Sequence, residues 1–239
     1  YIVFDESAFN AEENPNGFGL NGLRGEQLVL SRGDGNSITH LVDFVEFGAA
    51  AEGESFGRVV DYQSVIAPMK ENSFGTANNE PRVGPVVVSE INYAPGNPSE
   101  AALALDADLS SEDLEFVEIQ NSSSAEVSLQ DWRLRLGIDY NFEDNATIAS
   151  GATLVIVPFN PDRVDNASRT AAFRAHYGIG ENVTLVGGYG GQLRDLGEGV
   201  RLQRAGQPTE DDPNYIPRLL EDEVIYDESA PWPNDALGS

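Results

Sequence analysis

The stretch EDLEFVEIQNSS, residues 112–123, sets Glu115 and Glu118 three apart in an apolar run, just behind Glu112 and Asp113. Phe116, Val117 and Ile119 are β-formers, and the run is short and bounded by turn residues, so it is a strand. Side chains on a strand alternate between faces. Glu115 therefore shares a face with Val117 and Ile119, and Glu118 shares one with Phe116 and Gln120. Unless a bulge intervenes, the two glutamates cannot converge on one substrate as an acid and base pair. One of them must lie on the apolar side or at its rim. There a carboxylate needs donors from a backbone turn, an arginine such as Arg133 or Arg135, or else a cation.

Similar runs recur along the chain: YIVF (1–4), EQLVLS (26–31), LVDFVEF (41–47), PVVVSEI (85–91), WRLRL (132–136), TLVIV (153–157), NVTLVG (182–187), GVRLQR (199–204) and EDEVIY (221–226). Many short strands separated by Gly, Pro, Asn and Asp predict an all-β sandwich or barrel. NASRTAAFRAHYG, residues 166–178, is the one helical stretch, with Asn166 or Ser168 to cap it and Gly178 to close it. The expected inward residues are Val87, Ile91, Phe116, Ile119, Trp132, Leu134, Leu154, Ile156, Val200, Leu202 and Val224.

The chain has 239 residues, 40% of them apolar, enough for one large domain or two smaller ones. Forty acidic against fourteen basic residues give a net charge of -26. Such a field repels nucleic-acid phosphates and anionic lipid, which argues against a nucleic-acid partner and membrane insertion. It suits solubility in a salty medium, or equally the binding of divalent cations or cationic partners. With no cysteine, disulfide frameworks, thiol catalysis and zinc–thiolate sites are excluded. No apolar run approaches membrane-spanning length, and Tyr1 opens mid-pattern without a charged leader, as a processed or excised chain would.

The back half echoes the front. LRGEQLVLSRG (23–33) matches LGEGVRLQRAG (196–206), VDFVEFG (42–48) matches EDEVIYD (221–227), and YIVFDESAFN (1–10) resembles LVIVPFNPDR (154–163) in kind. The turns Gly25–Glu26 and Gly197–Glu198 should then be equivalent, each leading into a strand. Residues 60–85 have few periodic apolar positions, and TANNEPRVGP (76–85) has linker composition.

PVVVSEINYAPG, then EFVEIQNSSSAEVSLQDWRLRLGIDYNF, the ATLVIV strand, GGQLRDLGEGVRLQR and EDEVIYDESAPWP follow one another in the order of a known family's signature segments. The chain resembles the bacterial lamin tail domain over residues 86–235. That resemblance implies an immunoglobulin-like β-sandwich, nearly complete over 84–239 but lacking its final strand. It also makes residues 1–80 the second half of another copy plus a linker, with GESFGR (53–58) as that copy's last strand. It further implies a place in a large exported bacterial protein, at the cell surface or outside the cell.

Half a sandwich exposes edges and apolar faces that something must cover. The expected partners are therefore other domains or copies of the same parent protein, with self-association through open sheet edges. The expected function is a non-catalytic adhesion, spacer or assembly module. The alternative is a carbohydrate-binding module that targets an appended enzyme to polysaccharide, and a third reading is a hydrolase using paired carboxylates.

Candidate chemistry is sparse. DADLSSED (106–113) offers Asp106, Asp108, Glu112 and Asp113, hard ligands that would suit calcium, although Ser111 and Val117 stand where an EF-hand needs Gly and Glu. Trp132 alternates with Leu134 and Leu136 as a core residue would, whereas Trp232, between two prolines, and Tyr189, in a glycine-rich stretch, are candidates for stacking on sugars. His40 and His176 lack a nucleophile motif. Arg32–Gly33–Asp34 lies at a hairpin turn, and sequons occur at Asn121, Asn145, Asn166 and Asn182.

Overall fold

The computed structural model describes residue 7 and residues 17–59, 62–210 and 212–227. The strand expected at residues 1–4 and the segment around Trp232 lie outside them. The chain divides into two compact units, one of residues 1–83 with 205–220 and one of 84–204 with 221–239.

The first unit contains two hairpins. Strands β1 (Glu26–Gly33) and β2 (Ile38–Phe47) form an antiparallel two-stranded ribbon, and β3 (Phe56–Val59) pairs with β4 (Tyr62–Pro68). β4 lies in the stretch 60–85, where apolar periodicity is weak. Its register against β3, with Gly57 opposite Ala67 and Arg58 opposite Ile66, supplies the order that its weak periodicity does not advertise. Within the same unit Arg24 stacks on Tyr215 and pairs with Asp212 at 3.1 Å.

The ribbon turns where the sequence placed its turn: the Asp34 carboxylate accepts from the backbone N–H groups of Asn36 and Ser37, each at 2.9 Å. Ribbon pairs are in strict opposition over Glu26/Phe47, Leu28/Val45 and Leu30/Asp43 on one face, and Gln27/Glu46 and Val29/Phe44 on the other. Large apolar side chains stand exposed on both faces, among them Leu28, Leu30, Val29 and Phe44.

The second unit is a sandwich. One sheet runs β12 (Leu185–Gly187), β11 (Thr153–Val157), β6 (Phe116–Asn121), β5 (Val86–Asn92). The other runs β13 (Gly190–Gly191), β9 (Ile138–Asn141), β8 (Arg133–Leu136), β14 (Gly197–Ala205), β15 (Arg218–Asp227). A short pair, β7 (Val127–Ser128) with β10 (Thr147–Ile148), crosses between loops. Between the sheets lie Val86, Val117, Ile119, Trp132, Leu134, Leu154, Ile156, Val200, Leu202 and Tyr226. At about 25 cal/mol per Å² of apolar surface, such a cluster is the main stabilising force of the domain.

Helix α2 (Ala167–Tyr177) runs between β11 and β12, whose parallel pairing requires a crossover. It ends on Gly178 at φ 65°, as its sequence predicts. The side chain of Asn166 does not cap it and instead donates to the Asn160 carbonyl at 2.8 Å. Ala172 and Phe173 of α2 cover the outer face of the first sheet over Phe116, Val155, Val157 and Leu185, together with Ala102 of the short helix α1 (Glu100–Leu103).

Two inward expectations are corrected here. Phe116 is buried, but under the helix and not between the sheets, because β6 is covered on both sides. Val86 takes the core position expected of Val87; a register shift between Val88 and Glu90 then returns Ile91 to the core side, so strict alternation fails across β5. Val224 is half-buried.

The seam between edge strands β5 and β15 is closed by side chains. Val88 N–H donates to Asp222 Oδ2 at 2.8 Å and Val86 N–H reaches Glu221 Oε1 at 3.5 Å. Glu221 is itself buried and paired with Arg204 at 3.0 Å, in space that a side chain at Gly84 would occupy. These carboxylates occupy edge N–H groups that would otherwise recruit another strand. Tyr93, just past β5, stacks on Tyr226 of β15 with ring centroids 4.3 Å apart.

Candidate functional site

Glu115 enters from the 3-10 turn Glu112–Leu114 that leads into β6, and it is the inward member of the glutamate pair, 3% exposed. Its donors are not Arg133 or Arg135, which bond Gln203 and the Leu134 and Tyr140 carbonyls respectively. They come from the loop before β14: Leu193 N–H at 3.1 Å, the Tyr189 hydroxyl at 3.3 Å and, more weakly, Gln192 Nε2 at 3.5 Å. Burial raises the Glu115 carboxyl above the ordinary carboxylate range, and the three donors only partly offset that effect. Burial and the neighbouring Glu115 charge likewise raise the Tyr189 phenol, so it remains a proton donor.

Above Glu115 lies a cavity of about 210 Å³, lined by residues 94–97 after β5, by Ser111 and Glu112, and by Gln192 and Asp195. Three carboxylates therefore border one small polar space. It offers acceptors and negative charge to a cationic or polyhydroxyl group, while the Glu115 carboxylate itself clasps the loop 189–193. Glu118, on the other face, accepts from Ser89 Oγ at 2.7 Å. The opposition deduced from strand alternation is what the structure contains.

The acidic loop is organised around an arginine. Arg169 of α2 reaches Asp106 with Nε and Asp113 with Nη1, both at 3.2 Å. The second Asp113 oxygen accepts from Ser110 N–H and Oγ, each at 2.9 Å, and Asp106 Oδ1 accepts from Asp108 N–H at 3.1 Å. Glu112 turns to the cavity and Asp108 is exposed, so the four expected ligands do not converge. Among the described residues no three acidic or histidine side chains form a metal set. Asp106 and Asp113 share the guanidinium of a distant helix, which the local spacing could not show.

Tyr189 is only 7% exposed and part of the sandwich core, so its ring is not open to a sugar; the glycines around it let the loop fold inward. Trp232, its expected companion, lies outside the described residues. Trp132 is core, as its alternation predicts. His176 accepts from Ser99 N–H at 3.1 Å, and burial lowers its pKa, which keeps it neutral. Of the sequons, Asn121 is fully buried: Nδ2 donates to the carbonyls of Ala125 and Ile148 at 2.7 and 2.9 Å, and Oδ1 accepts from Ser123. It staples two loops and is closed to glycosylation in the folded state.

The sandwich, its helical crossover and the loop clasped by Glu115 define an immunoglobulin-like module. The sequence model of the Lamin Tail Domain family matches residues 79–201, more than half of the chain, and the chain belongs to that family. No curated protein matches it. Among the described residues no helix is long and apolar enough to cross a membrane.

Proposed function

We propose that the chain is a non-catalytic module of a large exported bacterial protein, working at the cell surface or outside the cell in adhesion, spacing or assembly. The observation that carries this reading is the β1–β2 ribbon, apolar on both faces, in the same chain as a sandwich whose β5–β15 seam is sealed by carboxylates. Exposed apolar surface of this kind marks an interaction site. The acidity fits the same reading, since it holds such a chain in solution until a partner is met.

Sedimentation of the full chain over a range of concentration and salt tests this. Association that grows with concentration, strengthens as salt screens the net charge of -26 and weakens in Leu30→Asp supports assembly. A single monomeric species under all conditions, indifferent to that substitution, refutes it.

A further inference from the structure

The ribbon and the β14–β15 hairpin share more than sequence. Gly25 and Gly197, the matched turn glycines, both have positive φ, 77° and 113°. A Cβ at Gly25 would meet the Phe47 carbonyl, and one at Gly197 the Tyr226 carbonyl, and Phe47 and Tyr226 are themselves matched residues. Each first strand is thus locked in the same register against its second. Carried along that register, Leu28 and Leu30 correspond to Val200 and Leu202, and Val45 and Phe47 to Val224 and Tyr226.

The environments then part. Val200 and Leu202 are 0% exposed, whereas Leu28 and Leu30 are 43% and 60% exposed. The two strands differ in the sheet that faces them and in the neighbour at their other edge. The sheet of β5, β6, β11 and β12 faces β14 and covers Val200 and Leu202, and along its other edge β14 pairs with β8, Val200 opposite Leu136 and Leu202 opposite Leu134. β1 belongs to a two-stranded sheet among the described residues, and none of the described strands lies along its corresponding edge.

We infer that the β1 edge accepts a strand of the β8 type, W-x-L-x-L, from the front half of another lamin-tail-type domain; the strand's leucines would flank Leu28 and Leu30, and the sheet that faces it in that domain would cover them. This rests on the assembly reading and names its partner. Main-chain pairing supplies affinity in such strand addition, and alternate side chains entering the apolar face supply the register. The opposite ribbon face departs from its counterpart: where Arg201 pairs with Glu223, the ribbon sets Val29 against Phe44. That face stays outside the completed sandwich, and it provides the control.

The test uses the full chain and a labelled peptide of residues 129–141, LQDWRLRLGIDYN, titrated by fluorescence anisotropy. Saturable binding is expected, weakened about tenfold or more in Leu28→Asp and Leu30→Asp and unchanged in Val29→Asp. A peptide with the leucine phase shifted by one residue should not bind. Absence of binding, binding indifferent to Leu28→Asp and Leu30→Asp, or equal binding of the shifted peptide overturns the inference. Sedimentation distinguishes the two failures, because self-association that persists without peptide binding leaves the assembly reading standing and removes only this partner.

Discussion

Replacing Glu115 isolates what a buried carboxylate does in this sandwich. Glu115→Ala removes the acceptor for two buried donors, Leu193 N–H and the Tyr189 hydroxyl. Each orphaned donor costs about 1–3 kcal/mol. Two effects reduce the total: the adjoining cavity admits water to the vacated space, and a desolvated charge is removed. A net loss of about 2–3 kcal/mol is expected. Glu115→Gln keeps an acceptor oxygen and should stay within about 1 kcal/mol of the parent at neutral pH.

The pH dependence has a definite sign. Burial raises this carboxyl above its ordinary value of 4.5, so the folded chain holds the proton more tightly than the unfolded chain. The parent should therefore lose stability relative to Glu115→Gln as pH rises from 4.5 through the raised value, and regain it on acidification. Taking the difference between the two proteins cancels the general titration of the other acidic groups. Urea unfolding followed by Trp132 fluorescence, in a Trp232→Phe background, supplies the measurement. A difference that grows in the parent's favour with rising pH, or a Glu115→Gln variant as damaged as Glu115→Ala, would refute this account of the clasp.

Two other substitutions test the polar frame. Arg169→Met leaves Asp106 and Asp113 facing each other without their cation and should cost about 1–3 kcal/mol, between the values for surface and buried pairs. In that variant millimolar calcium should raise the melting temperature, with little shift in the parent; the reverse pattern would show that Arg169 is not the loop's counter-charge. Asn121→Asp sets a carboxylate against the Ala125 and Ile148 carbonyls and should cost about 2–4 kcal/mol in chemical denaturation, so an unchanged midpoint would mean that the staple is dispensable.

The sandwich was legible because its signals are local. TLVIV is an unbroken apolar run, and β11 is buried on both sides by the second sheet and by α2. The Glu115/Glu118 opposition follows from strand alternation, and the positive φ of both Gly25 and Gly197 agrees with the matched Gly-Glu pairs in the sequence. What failed depends on residues far apart or on one inserted residue. The phase of Val86 and Val87 turns on the register shift within β5, Arg169 reaches its loop from another element, and the glycine-rich stretch around Tyr189 gives no local sign that its ring folds into the core. Glu221 gave a weak signal, an acid at the start of a strand pattern. Only the close approach of Gly84 and Arg204 shows that it is buried and paired.

The stacking of Tyr93 on Tyr226, with the Val86 and Val88 amides held by Glu221 and Asp222, joins the first strand of the sandwich to its last. A ribosome releases these strands at opposite ends of the interval, so this seam cannot close until β15 emerges. Such a long-range pairing is of the kind that slows folding. In a polyprotein of such modules, each finished domain would mark off the chain already made from the chain still to come.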